Sequence, residues 1–217
     1  MRILLKTNSI KIKQINFFNN PILNPIPNRY LKDYSDYLKL LLEHELELIQ
    51  HIREFVGRVI FPPIDEMLFK RYLSGYDLKY VGIKNPSEPK FEGFFCFING
   101  DPAIIYNLNK PYKRQRYTKI HETFHFMQMI DQEFLKICDE ANSKLPPNLT
   151  NKLLNRTTEK ATAAYLMPKD LFTKEFQAGY KTAEELSDIF QVSKLWTFRP
   201  KPCPYLQSNK KVSLLQF

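Results

Sequence analysis

The placement of proline constrains this chain more than any other feature. Proline inside a helix removes one hydrogen bond and collides with the preceding turn, so Pro62-Pro63, Pro111, Pro146-Pro147, Pro168 and Pro200 each bound a segment. Between about 30 and 60, Leu38, Leu41, Leu42, Ile49, Ile52, Val56 and Val59 recur at steps of three and four, which predicts an amphipathic helix stopped by Pro62-Pro63. Further helices are predicted over about 64–74, 113–131, 132–144, 150–167 and 182–190. Three short apolar runs, 80–83, 91–98 and 103–106, are separated by the turn sequences Asn85-Pro86-Ser87 and Asn99-Gly100-Asp101-Pro102. They predict a small antiparallel sheet packed on helices, an α+β fold.

Glycine is scarce, with six residues in 217, and none forms a Gly-rich phosphate loop, which argues against the common nucleotide-binding enzymes. A net charge of +9 would suit an acidic partner, but the 32 Lys and Arg are spread along the chain and form no basic tract. No apolar run approaches the roughly 20 residues of a membrane-spanning helix. The start, Met1 to Lys6, returns to charge too early for a signal-peptide core. A cytoplasmic protein without membrane attachment is expected. Cys96, Cys138 and Cys203 are an odd count without paired spacing, so they support neither a disulfide framework nor a cysteine zinc knuckle.

The segment with chemical content is His121-Glu122-Thr123-Phe124-His125. On a helix, residues four apart share a face, so both imidazoles can reach one metal ion, while Glu122, about 100° round, can address a water there. Ile120, Phe124 and Met127 are available to bury that helix. A catalytic zinc usually has three protein ligands and an open position. No histidine follows His125, so a carboxylate is expected as third ligand unless an upstream histidine supplies it. Glu159 is the first candidate, because it stands alone as an acid on a helix whose Ala161, Ala163 and Ala164 permit close approach. Asp131, Glu133, Asp139 and Glu140 are alternatives, but reaching the metal from so near His125 needs a sharp chain reversal.

From about 103 to 198 the order of features resembles the ImmA/IrrE-type metallo-endopeptidases, zinc-dependent regulatory proteases of bacteria and their mobile elements. The likeness is carried by a strand ending in Asn107, by Arg116-Tyr117-Thr118-Lys119-Ile120-His121-Glu122-Thr123-Phe124-His125, by the alanine-rich helix closing in Leu166-Met167-Pro168, and by Ala183-Glu184-Glu185-Leu186 through Phe190-Gln191-Val192-Ser193. The resemblance implies a zincin-like fold, Zn2+ as cofactor, His121, His125 and Glu159 as metal ligands, and Glu122 as general base. It also implies a protein substrate, a helix-turn-helix regulator or antitoxin. Two positions depart from the family pattern: Phe124 stands where glycine is common, and Thr157 where the acid of the alanine-rich helix commonly stands.

The corresponding domain organisation is a leader and helical extension over 1–75, a peptidase domain over 76–199 and an irregular tail over 200–217. The competing reading is a non-catalytic regulatory protein that binds a partner protein or DNA through the same fold. The helix-turn-helix cadence of 186–193 favours DNA, but Pro200 leaves only 193–199 for a recognition helix, so nucleic acid is disfavoured. His44 and His51, seven apart, are expected to be ordinary helix histidines. The aromatic run 91–97 is expected to be a buried strand whose edge can receive an extended peptide.

Overall fold

The structure, a computed structural model, describes residues 26–56, 62–64, 67–84, 91–180 and 182–193. The expected leader up to residue 25, the segment 194–199 and the tail from 200 lie outside the described residues. The long helix α1 (Leu31–Val56) is followed by α2 (Met67–Tyr72) and by strands β1 (Lys79–Ile83), β2 (Gly93–Ile98) and β3 (Asp101–Asn107). Five helices complete the described chain: α3 (Tyr112–Ile130), α4 (Gln132–Lys144), α5 (Pro147–Leu166), α6 (Lys169–Gln177) and α7 (Ala183–Phe190). Among the described residues no helix is long and apolar enough to cross a membrane.

The fold is α+β, mostly helical, but the sheet is mixed where the sequence predicts an antiparallel one. Its order is β1-β3-β2. β2 and β3 form a hairpin around Asn99-Gly100, both with positive φ (55° and 92°), as a two-residue type I′ turn requires. β1 pairs with the other edge of β3 in parallel, from Lys79 opposite Ala103 to Ile83 opposite Asn107. Turn residues specify the pairing only of the strands they join. No tight turn joins β1 to β3, so its direction was not written in local sequence. Gly93 opens β2 where only glycine fits, since a Cβ there would lie 2.6 Å from the Ile105 carbonyl oxygen and against the Thr118 methyl group of α3.

Helix α6 was not foreseen. Pro168 supplies its N-cap and Asp170 an acid in its first turn, and Phe172 is buried against the Phe190 ring of α7. Arg53 of α1 binds Asp170 at 2.7 Å. Arg116, near the start of α3, is 2% exposed and donates to the carbonyls of Phe190 (2.6 Å), Gln191 (3.3 Å) and Ile64. It thereby satisfies backbone acceptors at the C-terminal end of α7.

Two apolar clusters fill the helical body. The larger joins Ile49 and Ile52 of α1, Phe69 of α2, Ile104 of β3, Ile120 and Phe124 of α3, Ala161 and Tyr165 of α5, and Phe190 of α7. The smaller joins Tyr34, Tyr37 and Leu41 of α1 to Phe134 and Cys138 of α4 and Leu149 and Leu153 of α5. α1, read from the sequence as part of an N-terminal extension, contributes to both. Between Leu41 and Ile49 on α1 sits buried Glu45, and between Leu153 and Ala161 on α5 sit buried Thr157 and Thr158. A polar seam therefore crosses the interior between the two clusters.

Candidate metal centre

The seam contains the histidine pair. Residues 120–128 of α3 are all buried, because α5 and the sheet pack on this helix from different sides. Ile120, Phe124 and Met127 enter the larger apolar cluster. His121 and His125, one turn apart, place their Nε2 atoms 3.2 Å from each other. Two nitrogens bound to one tetrahedral zinc, each about 2.0–2.1 Å from it, lie about 3.3 Å apart. The pair thus fits two adjacent ligand positions, and the same distance also suits one N–H···N hydrogen bond between neutral rings. Burial pushes the His121 pKa well below its usual value, with His125 and Arg114 adding to the effect. Burial lowers His125 to about 4, against the hydrogen bond from its ring to Gln128. Both rings are therefore neutral near pH 7, the form that ligates metal.

Glu122, next to His121 in sequence, is 2% exposed. Its Oε2 accepts the backbone N–H of Phe95 on β2 at 3.1 Å, while Oε1 is buried without a hydrogen bond. Burial raises its pKa to about 8, opposed by the Phe95 bond. The orphaned oxygen leaves this buried carboxyl group able to take a further donor or a cation, and a cation would favour its ionised form. The Tyr117 ring stacks on His121 with centroids 5.6 Å apart, and the Arg114 guanidinium lies 5.2 Å above Tyr117. Thr123, on the same helix, donates to the Lys119 carbonyl and meets the Tyr80 hydroxyl at 2.9 Å, which fixes α3 against β1.

The structure brings His121 and His125 together, turns Glu122 to the N–H of Phe95 on β2, and places Glu159 elsewhere. Glu159 binds Arg156 at 3.2 Å with its side chain 37% exposed. The buried face of α5 is formed by Leu153, Thr157, Thr158, Ala161, Thr162 and Tyr165, and Glu159 falls outside it. Its neighbour Thr158 is the residue that faces His125, with Oγ1 3.4 Å from Nδ1. Among the described residues no three His, Cys, Asp or Glu side chains stand together as a metal-holding group. Asp131 instead caps α4, accepting from the N–H groups of Glu133 and Phe134 at 2.9 and 3.0 Å, and also binds His44 at 2.9 Å. Glu133, Asp139 and Glu140 are exposed on α4, and His51 is exposed on α1.

Three further residues complete the seam. Gln128 donates from Nε2 to Glu45 Oε1 at 2.6 Å and to Thr158 Oγ1 at 3.0 Å, while its Oε1 faces His125 Nδ1 at 3.3 Å. Glu45 is 1% exposed, and burial raises its pKa to about 8 against the Gln128 bond. Its sequence signal is a carboxylate four residues from both Leu41 and Ile49, on the apolar stripe of α1. Gln128 follows His125 by three positions and so shares its face. Thr158 has no comparable signal.

No protein-family model matches the chain, and no curated protein matches it. Among solved structures, one described as a Mycobacterium tuberculosis transcriptional regulator is similar, with a TM-score of 0.51 and 9% sequence identity. The similarity covers 75% of this chain and 50% of that one, so this chain spans about half of its length. At this identity the likeness is one of fold.

Proposed function

We propose that this protein is a zinc-dependent endopeptidase that cleaves a regulatory protein. The observation carrying this reading is the meeting of His121 Nε2 and His125 Nε2 at 3.2 Å, with Glu122 buried on the same helix and one of its oxygens unpartnered. His121 and His125 would hold the ion. Bound zinc supplies Lewis acidity, which polarises a carbonyl group and makes water nucleophilic at neutral pH. Glu122 takes the proton from the attacking water and delivers it to the leaving amine, and the Phe95 N–H keeps its carboxyl group oriented on the strand side. Burial of the pair excludes bulk water and strengthens each of these interactions. The substrate class, a helix-turn-helix regulator or antitoxin, rests on the family resemblance, and the expected cellular site is the cytoplasm.

Zinc content of the purified protein tests the reading, together with cleavage of a regulator encoded by a neighbouring gene. Wild type is expected to carry one zinc and to produce fragments, and His121→Ala and His125→Ala to lose both properties. A second reading, a non-catalytic regulator, is favoured by the absence of a third acidic or imidazole ligand among the described residues. The structural neighbour, a transcriptional regulator, is in keeping with it. Regulator inactivation without fragments, unaffected by Glu122→Gln, would establish that alternative.

A further inference from the structure

We infer that Glu45, on α1, is a positioning residue for His125: acting through the Gln128 amide, it holds the imidazole in the tautomer whose Nε2 is unprotonated and able to ligate a metal. A primary amide beside a histidine can turn either end to the ring. If its NH2 group faced Nδ1, that nitrogen would have to accept, and the ring proton would move to Nε2. Glu45 as a carboxylate can only accept, and so decides between the two ends, and the Gln128 N–H bond favours that form against burial. Its Oε1 takes Gln128 Nε2 at 2.6 Å, so the carbonyl Oε1 of Gln128 is turned to Nδ1. Thr158 supports the same outcome, since Oγ1 accepts from Gln128 Nε2 at 3.0 Å and can donate its own hydrogen to the Leu154 carbonyl at 3.0 Å or to Gln128 Oε1 at 3.2 Å. With that hydrogen engaged on either carbonyl, both groups near Nδ1 are acceptors, the arrangement that favours a proton on Nδ1.

The location of Glu45 is itself informative. A carboxyl group 1% exposed, with its second oxygen lacking any hydrogen bond, is a costly occupant of an apolar stripe. Leucine would pack there between Leu41 and Ile49 without that cost. Groups that orient a metal-binding histidine from behind typically change metal affinity 10- to 100-fold. The metal part of the inference rests on the zinc reading above, whereas the tautomer part does not.

The experiment uses the full chain and the variants Glu45→Gln, which keeps an oxygen acceptor, and Glu45→Leu, which removes it. Ring-nitrogen chemical shifts of His125 in metal-free protein report the tautomer, and competition of zinc alone against a chromophoric chelator reports affinity. Wild type and Glu45→Gln should have a protonated Nδ1 and similar affinity. Glu45→Leu should show mixed tautomers and bind zinc about 10-fold or more weakly, with no loss of thermal stability. Gln128→Leu should cause a shift of the same kind, and the double variant Glu45→Leu/Gln128→Leu should add little to it. An Nδ1–H tautomer and zinc affinity unchanged in both leucine variants would overturn the inference. If wild type binds no zinc, the zinc reading fails, and the tautomer result still decides the role of Glu45.

Discussion

Glu122 Oε2 and the backbone N–H of Phe95 are 3.1 Å apart, a bond that ties the glutamate of the His-Glu-x-x-His segment to strand β2. A glutamine at 122 retains an oxygen that can accept this bond but cannot take up a proton. Glu122→Gln is therefore expected to keep the fold and bound zinc while proteolysis falls by about 10²-fold or more. Fragment formation on gels and metal content, measured on the same samples, check it. Loss of zinc would instead assign Glu122 a structural part in the site.

Glu159 offers the opposite case. Its contacts are an exposed ion pair with Arg156, so Glu159→Gln should leave zinc stoichiometry at the wild-type value and change stability by no more than about 1 kcal/mol. Metal analysis and urea titration measure the two quantities. A variant devoid of zinc would restore Glu159 as a ligand.

Gly93 tests the packing of α3 on the sheet. Gly93→Ala forces a methyl group against the Ile105 carbonyl and Thr118, and the expected loss is about 1–3 kcal/mol, the usual range for overpacking. The displacement lies two residues from Phe95, so the variant should also weaken zinc binding. Denaturant unfolding and chelator competition would detect a discrepancy between the two effects.

Asp131 links stability to pH. Burial tends to raise its pKa, but the N–H groups of Phe134 and Glu133 and the His44 ring outweigh burial, and the folded-state value lies below 3.8. A depressed carboxylate pKa contributes stability above the unfolded value and loses it as pH falls through the folded value. Asp131→Ala should cost about 1 kcal/mol at neutral pH. The charge-dependent share of that difference should shrink as pH falls from the unfolded value and vanish once pH lies below the depressed folded value. Thermal melts of both proteins at several pH values give the comparison, and a gap that widens on acidification would contradict the sign.

Arg116 anchors α3 to three carbonyl oxygens from two separate segments. Arg116→Met keeps the apolar stem but leaves these acceptors short of donors, and about 3 kcal/mol of stability should be lost. Equilibrium unfolding of the variant measures it. A change below 1 kcal/mol would mean that water replaces the guanidinium there.

The sequence by itself determined the helices with clear boundaries, the hairpin and the one face of α3 that bears chemistry. Proline and alternating apolar steps act within a few residues, so α1, α3, α4 and α5 are found close to their expected spans. His121 and His125 share a face because four residues make about one helical turn. Tertiary structure alone decided what meets that face. The parallel pairing of β1 with β3, the turn of α5 that offers Thr158 and not Glu159, and the burial of Glu45 behind Gln128 all depend on contacts between residues far apart in sequence. A helix fixes the angular order of its side chains, but only its rotation against a neighbour selects which of them points inward. That rotation is set by the fit of two apolar clusters, and the polar seam between them is where it placed the candidate site.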